Sequence, residues 1–188
     1  MSNAGRHFIV FAFRGSCMVS LKQEIAQQRP FSSVEEEALL NVLRTSDCLQ
    51  RAFVRRTRHW GITPTQYNVL RILRGAQPQG LTCSEVGERM ITAVPDITRL
   101  LARMKAQKFI RQQRDKKDRR VVWTQISASG LELLSKVDPE ITQIPGELLG
   151  HLDRRELGEF IRLLELARKN CMDTQTPVSC EGESCKTK

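Results

Sequence analysis

The sequence predicts a mainly α-helical protein that carries one small β-hairpin, and three observations support this fold class. Residues that cap helix N-termini recur along the chain, each followed by apolar residues at helical spacing. Two short runs, residues 109–114 and 121–126, read as strands on either side of a polar tip. The 188 residues contain 40% hydrophobic and 27% charged side chains, which is the balance of a globular domain with a proper core.

The positive charge of the chain is concentrated between residues 99 and 120. Ten basic residues there face only two acids, Asp115 and Asp118, so this stretch carries a net +8 of the whole chain's +9. The ten are Arg99, Arg103, Lys105, Lys108, Arg111, Arg114, Lys116, Lys117, Arg119 and Arg120. A run of charge is usually a solvated face. This one begins on a helix and ends in a hairpin, which indicates a surface for polyanions, most simply nucleic acid.

The composition does not indicate a metal site, a cofactor or an enzyme. Six cysteines are scattered without metal-finger spacing, and none of the three histidines lies in a metal or hydrolase motif. The sequence has no glycine-rich phosphate loop, and only 5% aromatic residues argue against a stacking platform for single strands. We therefore expect a binding protein with reduced thiols.

Residues 1–32 are expected to form an N-terminal extension. Residues 2–4, Ser-Asn-Ala, resemble the scar of an expression tag, with a native origin as the alternative. The apolar run at residues 8–13 is too short for a signal-peptide core or a membrane span. We accordingly expect a cytoplasmic protein with no membrane partner.

A long helix is predicted for residues 33–60. Ser33 and Glu36 match a capping box, and apolar residues follow at helical spacing to about Arg58. A helix this long at the start of a small domain often serves a subunit interface, and a core helix is the alternative.

Residues 61–126 predict a winged helix-turn-helix. Capping signals at residues 63–66 and 82–85 open two helices, and a turn of three or four residues leads to a third, residues 94–107. Its apolar stripe is Val94, Ile97, Leu101 and Met104. The hairpin that follows is a wing, to which residues 80–82 can add a third strand.

The remaining residues predict two further helices and a tail. Ser127 begins a helix that runs to about Val137 and is interrupted near Pro139 and Pro145. A capping box at residues 153–156 begins the last helix. The polar residues 171–188 are expected to be disordered.

This order of elements resembles the MarR family of winged helix-turn-helix transcriptional regulators. The wing residues Asp115-Lys-Lys-Asp-Arg-Arg120 are similar to the family's D-x-R-D-x-R signature, with Lys117 in place of its first arginine. Three further segments resemble the family's entry to its second helix, its recognition helix and the residues after its wing, namely 61–67 (GITPTQY), 97–101 (ITRLL) and 126–130 (ISASG).

The resemblance implies a homodimer that binds double-stranded DNA, with residues 33–60 and 127–170 as dimerisation helices. Each recognition helix would enter a major groove and each wing would lie beside a minor groove. Such a protein typically represses genes and releases its DNA when a small phenolic or other lipophilic effector binds.

The helix that begins at Val94 presents the predicted DNA-binding residues. Those that face away from its apolar stripe include Pro95, Asp96, Thr98, Arg99 and Arg103. Arg99 is the best candidate for a base contact, because arginine can bond guanine through two donors. Thr98 and Arg103 can instead bind phosphate, and Arg103 can equally be an ordinary surface arginine. Asp96 either orients Arg99 or caps the first turn.

The wing is predicted to bring cations to the edge of the minor groove. These cations are Arg114, Lys116, Lys117, Arg119 and Arg120. Asp115 and Asp118 are expected to hold them through salt bridges, because carboxylates repel phosphates. Arg120 is the best candidate for a structural role. Lys117 changes the contact at the tip, because an ammonium is a point charge where guanidinium is a planar fork.

Regulation has two candidate sites in the sequence. His59, Trp60 and Tyr67 lie where an effector pocket of the family would form, and ordinary core or interface aromatics are the alternative. Cys48 and Cys83 are candidates for a thiol-oxidation sensor, as in the family's peroxide-sensing branch, and inert thiols are the alternative. A protein-interaction adaptor without DNA reading is the rival function, which the concentration of charge opposes.

Overall fold

The computed structural model describes residues 19–172, which are mostly helical and contain one two-stranded sheet. In chain order the elements are α1 (Leu21–Glu24), α2 (Val34–Thr57), a 3₁₀ turn (Arg58–Trp60), α3 (Pro64–Gly75), α4 (Cys83–Glu88), α5 (Ile97–Ala106), β1 (Ile110–Arg114), β2 (Val122–Ile126), α6 (Ala128–Ile141), α7 (Ile144–Leu149) and α8 (Arg154–Met172). The expected mainly α fold class with a small β-wing is confirmed. The chain divides into two units, residues 1–50 and 51–188.

The first unit contains α1 and the beginning of α2. Ser20 caps α1 with a reciprocal bond from Gln23, and the Arg44 guanidinium bonds the Glu24 carboxylate at 2.6 Å. At the start of α2, Ser33 accepts from the Glu36 amide as expected, but the Glu36 carboxylate accepts from the Ser32 amide instead of closing the box on Ser33. Residues 1–18, with the suspected tag scar at 2–4, lie outside the described residues.

The second unit is built around one hydrophobic core formed by α3, α4, α5, the hairpin and α6. Among the described residues, the apolar side chains with no solvent exposure are Val69, Leu70, Leu73, Val86, Met104 and Leu134. They come from α3, α4, α5 and α6, so every helix of the helix-turn-helix contributes to a shared interior. Burial of one such side chain stabilises the fold by roughly 1.5–3 kcal/mol relative to leaving it in water.

The predicted capping boxes that start α3 and α4 are confirmed. Thr63 and Gln66 exchange side-chain and backbone bonds at the start of α3, and Thr82 and Glu85 do so at the start of α4. The Gln66 amide also donates to the Gln107 side chain at 2.8 Å. This bond connects the beginning of α3 with the end of α5.

The hairpin is joined to the core at its base. Strands β1 and β2 pair antiparallel, from Ile110 opposite Ile126 to Arg114 opposite Val122. The expected third strand is a single bridge, in which Leu81 and Thr124 exchange backbone bonds of 2.9 and 2.7 Å. Two glycines permit this packing.

Gly80 and Gly130 stand where a side chain would meet backbone. Gly80 has φ +81°, and a Cβ there would lie 2.4 Å from the Thr124 carbonyl oxygen. A Cβ on Gly130 would lie 2.3 Å from the carbonyl oxygen of Phe109. The glycine of the ISASG segment is therefore required because α6 begins directly against the base of the wing.

Two expectations about the helix-turn-helix are wrong. Helix α5 begins at Ile97 instead of Val94, because Asp96 caps it and Pro95 precedes the cap. The connection between α4 and α5 occupies residues 89–96, so it is longer than the expected turn of three or four residues. Helix α4 ends early at Glu88, and no apolar periodicity extends it.

The C-terminal helices also depart from expectation. Helix α6 continues through Pro139 to Ile141, because a proline near the end removes one intrahelical bond while Val137 and Ile141 remain buried. Helix α8 is confirmed as capped by Asp153 and Glu156, but it runs to Met172, so residues 171 and 172 are not part of a disordered tail. Residues 173–188 lie outside the described residues.

None of the helices in the described part of the chain is both long enough and apolar enough to cross a membrane.

Candidate nucleic-acid interface

Helix α5 places its polar residues on one exposed face. Leu100, Leu101 and Met104 are buried, while all five predicted contact residues of this region are exposed: Pro95, Asp96, Thr98, Arg99 and Arg103. Arg99 and Arg103 are four residues apart, so they share a side of the helix. Val94 and Ile97, expected to be buried, are half-buried against the core, and Leu100 takes the buried position instead.

Asp96 caps the recognition helix. Its Oδ1 accepts from the Arg99 amide at 2.8 Å, and its backbone is non-helical. Of the two roles considered for Asp96, the structure therefore contains the cap. A carboxylate is also favourable at this position because the amide ends of a helix carry partial positive charge.

Cys83 contacts the recognition helix. Its Sγ lies 3.6 Å from Thr98 Oγ1, and the side chain is half-buried at the first position of α4. Cys48, on α2, is exposed. A sensor role for either thiol stays a prediction.

The wing tip is held by hydrogen bonds from the two aspartates to main-chain amides. Asp115 Oδ1 accepts from the amides of Lys117 and Asp118 at 2.7 and 3.0 Å. Asp118 Oδ1 accepts from the Arg120 amide at 2.9 Å. The second oxygen of Asp115 accepts from the Trp123 indole N–H at 3.0 Å. The backbone bond from Asp115 to Val121 then closes the loop at 2.9 Å.

The expected wing salt bridges of Asp115 and Asp118 are wrong. The carboxylates accept hydrogen bonds from nearby main-chain amides instead, because an aspartate in a tight turn lies within hydrogen-bonding distance of the amides two and three residues later. Three hydrogen bonds lower the pKa of Asp115 below its usual value. In decreasing order of effect they come from the Asp118 amide, the Trp123 indole and the Lys117 amide. The carboxylate thus remains ionised while it organises the turn.

The ten basic residues between Arg99 and Arg120 form no salt bridge within the described part of the chain. Elsewhere in the described chain, arginines do pair with carboxylates: Arg44 with Glu24, Arg56 with Glu147, Arg74 with Asp138 and Arg162 with Glu159. The predicted wing cations Arg114, Lys116, Lys117, Arg119 and Arg120 are all exposed. Their charge is therefore available to an external anion.

A sequence model of the MarR family matches residues 60–121. A MarR transcription factor from Planctomyces limnophilus, whose crystal structure is solved, is 34% identical to this chain, with 73% of this chain and 99% of that one covered and a TM-score of 0.56. The chain belongs to the MarR family. It is a DNA-binding transcriptional regulator with a winged helix-turn-helix.

Two further transcriptional regulators are similar to this chain. The HTH-type transcriptional regulator YkoM from Bacillus subtilis is 28% identical over 58% of this chain and 72% of its own length. The organohalide-sensing regulator RdhR, solved in its 2,4-dichlorophenol-bound form, has a TM-score of 0.69 at 15% identity and covers 81% of this chain and 96% of its own. At that identity RdhR shares the fold alone.

In this MarR-family chain the predicted effector residues do not line one pocket together. Glu140 Oε2 bonds both the Trp60 indole nitrogen and His59 Nε2, each at 2.8 Å. These bonds, Trp60 first, lower the pKa of Glu140. A cleft of about 210 Å³ lies beside them, lined by Arg56, Trp60, Glu140, Gln143, Ile144 and Glu147. Of the three predicted residues, Trp60 alone is among these lining residues.

Tyr67 belongs to a polar network instead. Its hydroxyl donates to Asp138 Oδ1 at 3.0 Å, and Arg74 pairs with the other oxygen of Asp138. Tyr67 as a whole residue is 7% exposed and packs in the core. Burial, and then the bond and charge of Asp138, raise the pKa of Tyr67 to about 12.

Sequence reasoning missed several residues of these sites. Asp138 and Glu140 are 64 to 81 positions away from the residues they bond, and no local pattern joins such distant partners. The Trp123–Asp115 bond had a detectable signal. Trp123 alternates with Thr124 along β2, so it must lie on the face opposite the buried threonine.

The single tyrosine of the chain makes the Asp138 network measurable by absorbance. We expect Tyr67 to ionise near pH 12 in the folded protein and at a lower pH in Asp138→Asn, because that change removes the negative charge that helps to raise the pKa of Tyr67. Absorbance at a phenolate wavelength after pH jumps measures the midpoint. A raised folded pKa also means that Tyr67's stabilising contribution is complete below pH 10 and is lost between about pH 10 and 12.

Glu140→Gln is the matched control for the tyrosine titration, because it removes a carboxylate from the same helix without touching Tyr67. The Tyr67 midpoint should not move in this variant. A wild-type midpoint at the ordinary value of 10, unchanged by Asp138→Asn, contradicts the network's role.

Proposed function

We propose that this MarR-family regulator represses genes as a homodimer on double-stranded DNA and is released by a small lipophilic or phenolic effector. The observation that carries DNA binding by this surface is the set of ten cations without internal carboxylate partners. Duplex DNA is the partner that suits both a protruding helix and a basic hairpin, since the helix fits a major groove. The site of action is the cytoplasm.

Helix α5 reads bases in this proposal. Arg99 is exposed, and its amide is held by the Asp96 cap, so the side chain leaves the helix near its N-terminus. This is the end that contacts base edges when a recognition helix enters a major groove. Thr98 and Arg103 bind phosphates beside it, and Pro95 lies at the entry to the helix.

The wing grips the DNA backbone and the minor-groove edge. Its five cations, Arg114, Lys116, Lys117, Arg119 and Arg120, project from a turn whose main chain is fixed by two aspartates. The Arg120 amide donates one of the hydrogen bonds that fix the turn, which supports a partly structural role for this residue. Lys117 approaches the groove as a point charge in place of the family's planar guanidinium.

Exposed apolar residues support dimerisation through the helices at both ends of the chain. On α2 Leu39 and Leu43 are 59% and 57% exposed, and on α8 Ile161 and Leu166 are 55% and 58% exposed. No residue of α8 between Arg154 and Cys171 is buried. A 19-residue helix with this many exposed apolar side chains is expected to be covered by another surface. A second copy of the chain supplies a self-complementary one.

The cleft beside Trp60 supports a small aromatic effector. Its walls combine an indole with the Ile144 side chain, and its rim carries the Arg56–Glu147 pair at 2.8 Å. A phenol can stack on the indole and donate a hydrogen bond from its hydroxyl to Glu140 or Gln143. RdhR, which shares this fold, is solved with 2,4-dichlorophenol bound.

DNA binding is tested with a duplex that the wild-type protein selects from a random-sequence pool. We expect affinity to fall by about 10³–10⁵ between 50 and 200 mM salt if the dimer contacts on the order of 6–10 phosphates. Arg99→Ala should weaken binding to the selected duplex by roughly 5- to 150-fold, which corresponds to the loss of about 1–3 kcal/mol for a bidentate base contact. Binding to random duplex should change little. Fluorescence anisotropy measures both effects.

Lys105→Ala is the control for Arg99→Ala, because it deletes one positive charge from another side of the same helix. The loss of affinity in Lys105→Ala should be small, and it should be equal for the selected and the random duplex. A salt-independent affinity, or equal losses on both duplexes for Arg99→Ala, is incompatible with specific reading by α5.

Dimerisation is tested by placing a charge in the exposed apolar surface of α2. Leu43→Asp should shift the sedimentation coefficient from dimer to monomer, because an isolated carboxylate is costly to bury. Asn41→Asp adds the same charge on the opposite side of α2 and should leave the dimer intact. A wild-type monomer at micromolar concentration rules the homodimer out.

Effector binding is tested with 2,4-dichlorophenol and the two tryptophans of the chain. In Trp123→Phe the remaining indole, Trp60, should change its emission when the phenol binds. In Trp60→Phe the remaining Trp123 should not respond. The phenol should also release the labelled duplex from the wild-type protein. An equal response of both variants, or none, removes the cleft as the effector site.

A further inference from the structure

Trp123 occupies an unusual position for a tryptophan. On β2 the side chains of Thr124 and Ile126 are buried, so Trp123 and Gln125 lie on the outer face of the wing. Within the described residues, Trp123 belongs neither to the hydrophobic core nor to the apolar side chains packed against it. It is half-buried, and its single donor bonds Asp115. Core packing therefore does not explain this residue.

Asp115 joins the indole to the main chain of the tip. One carboxylate oxygen accepts from the amides of Lys117 and Asp118, and the other accepts from the Trp123 nitrogen at 3.0 Å. An aspartate side chain has two rotatable bonds, so amides alone leave it free to swing with the tip. The third bond, from an indole held by a strand, ties the carboxylate to the regular part of the hairpin.

The other wing contacts hold the base and not the tip. Gln125 donates to the carbonyls of Pro78 and Gln79 at 2.7 and 3.1 Å and accepts from Arg111 at 2.9 Å. The Leu81–Thr124 bridge reaches the middle of the hairpin and stops short of the tip. Beyond the Arg114–Val122 pair, the described tip depends on the two aspartates and on backbone bonds of the loop itself. Trp123 thus makes the side-chain connection between strand and tip.

We propose that Trp123 is a positioning residue for DNA binding, whose indole holds Asp115 and thereby fixes the backbone that carries Lys116, Lys117 and Arg119. Its role rests on the proposed contact between wing and DNA. A preorganised tip presents its cations without first losing backbone freedom. Without this bond the tip stays mobile on the DNA and loses phosphate contacts, because ordering it would cost roughly one residue's worth of backbone entropy. The lost contacts weaken binding by about 10-fold.

Two substitutions break the same bond from opposite ends. Trp123→Phe keeps a large ring and removes the N–H donor without changing charge. Asp115→Asn keeps an acceptor for the tip amides, but its NH₂ group cannot accept from the indole. This variant also makes the wing more positive, so electrostatics alone predicts tighter binding to DNA, whereas loss of the tie predicts weaker binding.

The experiment measures anisotropy with the selected duplex for wild type, Trp123→Phe, Asp115→Asn and the double variant. We expect both single variants to bind about 10-fold more weakly, with a shallower dependence of affinity on salt because fewer phosphates are neutralised. The double variant should be no weaker than either single variant, since all three lack the same bond.

Two results overturn the proposal. The first is wild-type affinity in Trp123→Phe, or tighter binding in Asp115→Asn. The second is weaker binding with an unchanged salt dependence and a lower melting temperature, which shows a general structural role. Lys116→Ala/Lys117→Ala separates failure of the proposal from failure of the proposed function. If this double variant also binds like wild type, the wing does not contact DNA at all.

Trp123 also reports on the tip directly. In Trp60→Phe it is the sole fluorophore, and its emission should shift when the selected duplex binds, because the tip lies at the DNA. In Trp60→Phe/Asp115→Asn the free protein's Trp123 emission should move towards that of a solvated indole. An emission unchanged by both DNA and Asp115→Asn contradicts the tie.

Discussion

The hydrogen bonds that main-chain amides donate to Asp115 and Asp118 decide what the positive surface of this protein can do. A basic hairpin with two carboxylates in its tip has two ways to satisfy them: pairing with its own cations, or accepting from its own backbone. In the described residues the backbone takes both carboxylates. The aspartates then give the turn its shape without neutralising adjacent side chains through direct salt bridges. This leaves lysine and arginine for an external polyanion.

A surface with a net charge of +8 over 22 residues repels itself, and the fold must hold it together by other means. Apolar side chains buried in the core beneath the charged surface hold it in place. Leu100, Leu101 and Met104 anchor α5 in the core, and Ile110 and Ile126 anchor the two strands of the hairpin. Glycine at positions 80 and 130 lets the chain approach the hairpin base closely enough for these anchors to pack. Apolar burial thus supports the charges that project from the opposite side.

Local signals in the sequence predicted what depends on a few adjacent residues. The capping boxes at Thr63 and Thr82 and the two strands follow from such signals, because their partners lie within a few positions. Apolar spacing alone predicts that α5 begins at Val94, whereas Pro95 and the Asp96 cap delay its start to Ile97. Charge complementarity predicts salt bridges for Asp115 and Asp118, whereas the geometry of the turn brings main-chain amides to their carboxylates. The Glu140 and Asp138 bonds required the tertiary fold, which no local pattern encodes.

The helix α6 connects the two proposed activities through its acidic end. Glu140 bonds Trp60 beside the cleft, and two residues earlier Asp138 bonds Tyr67 and Arg74 of α3. At the start of α3, Gln66 bonds Gln107 at the end of the recognition helix. Contact alone does not couple two sites. A ligand changes the DNA affinity only if it binds two arrangements of these contacts unequally. Under the proposed function, a phenol that takes the place of Trp60 on Glu140 releases the DNA only if breaking the Trp60 bond also changes the contact between Gln66 and Gln107.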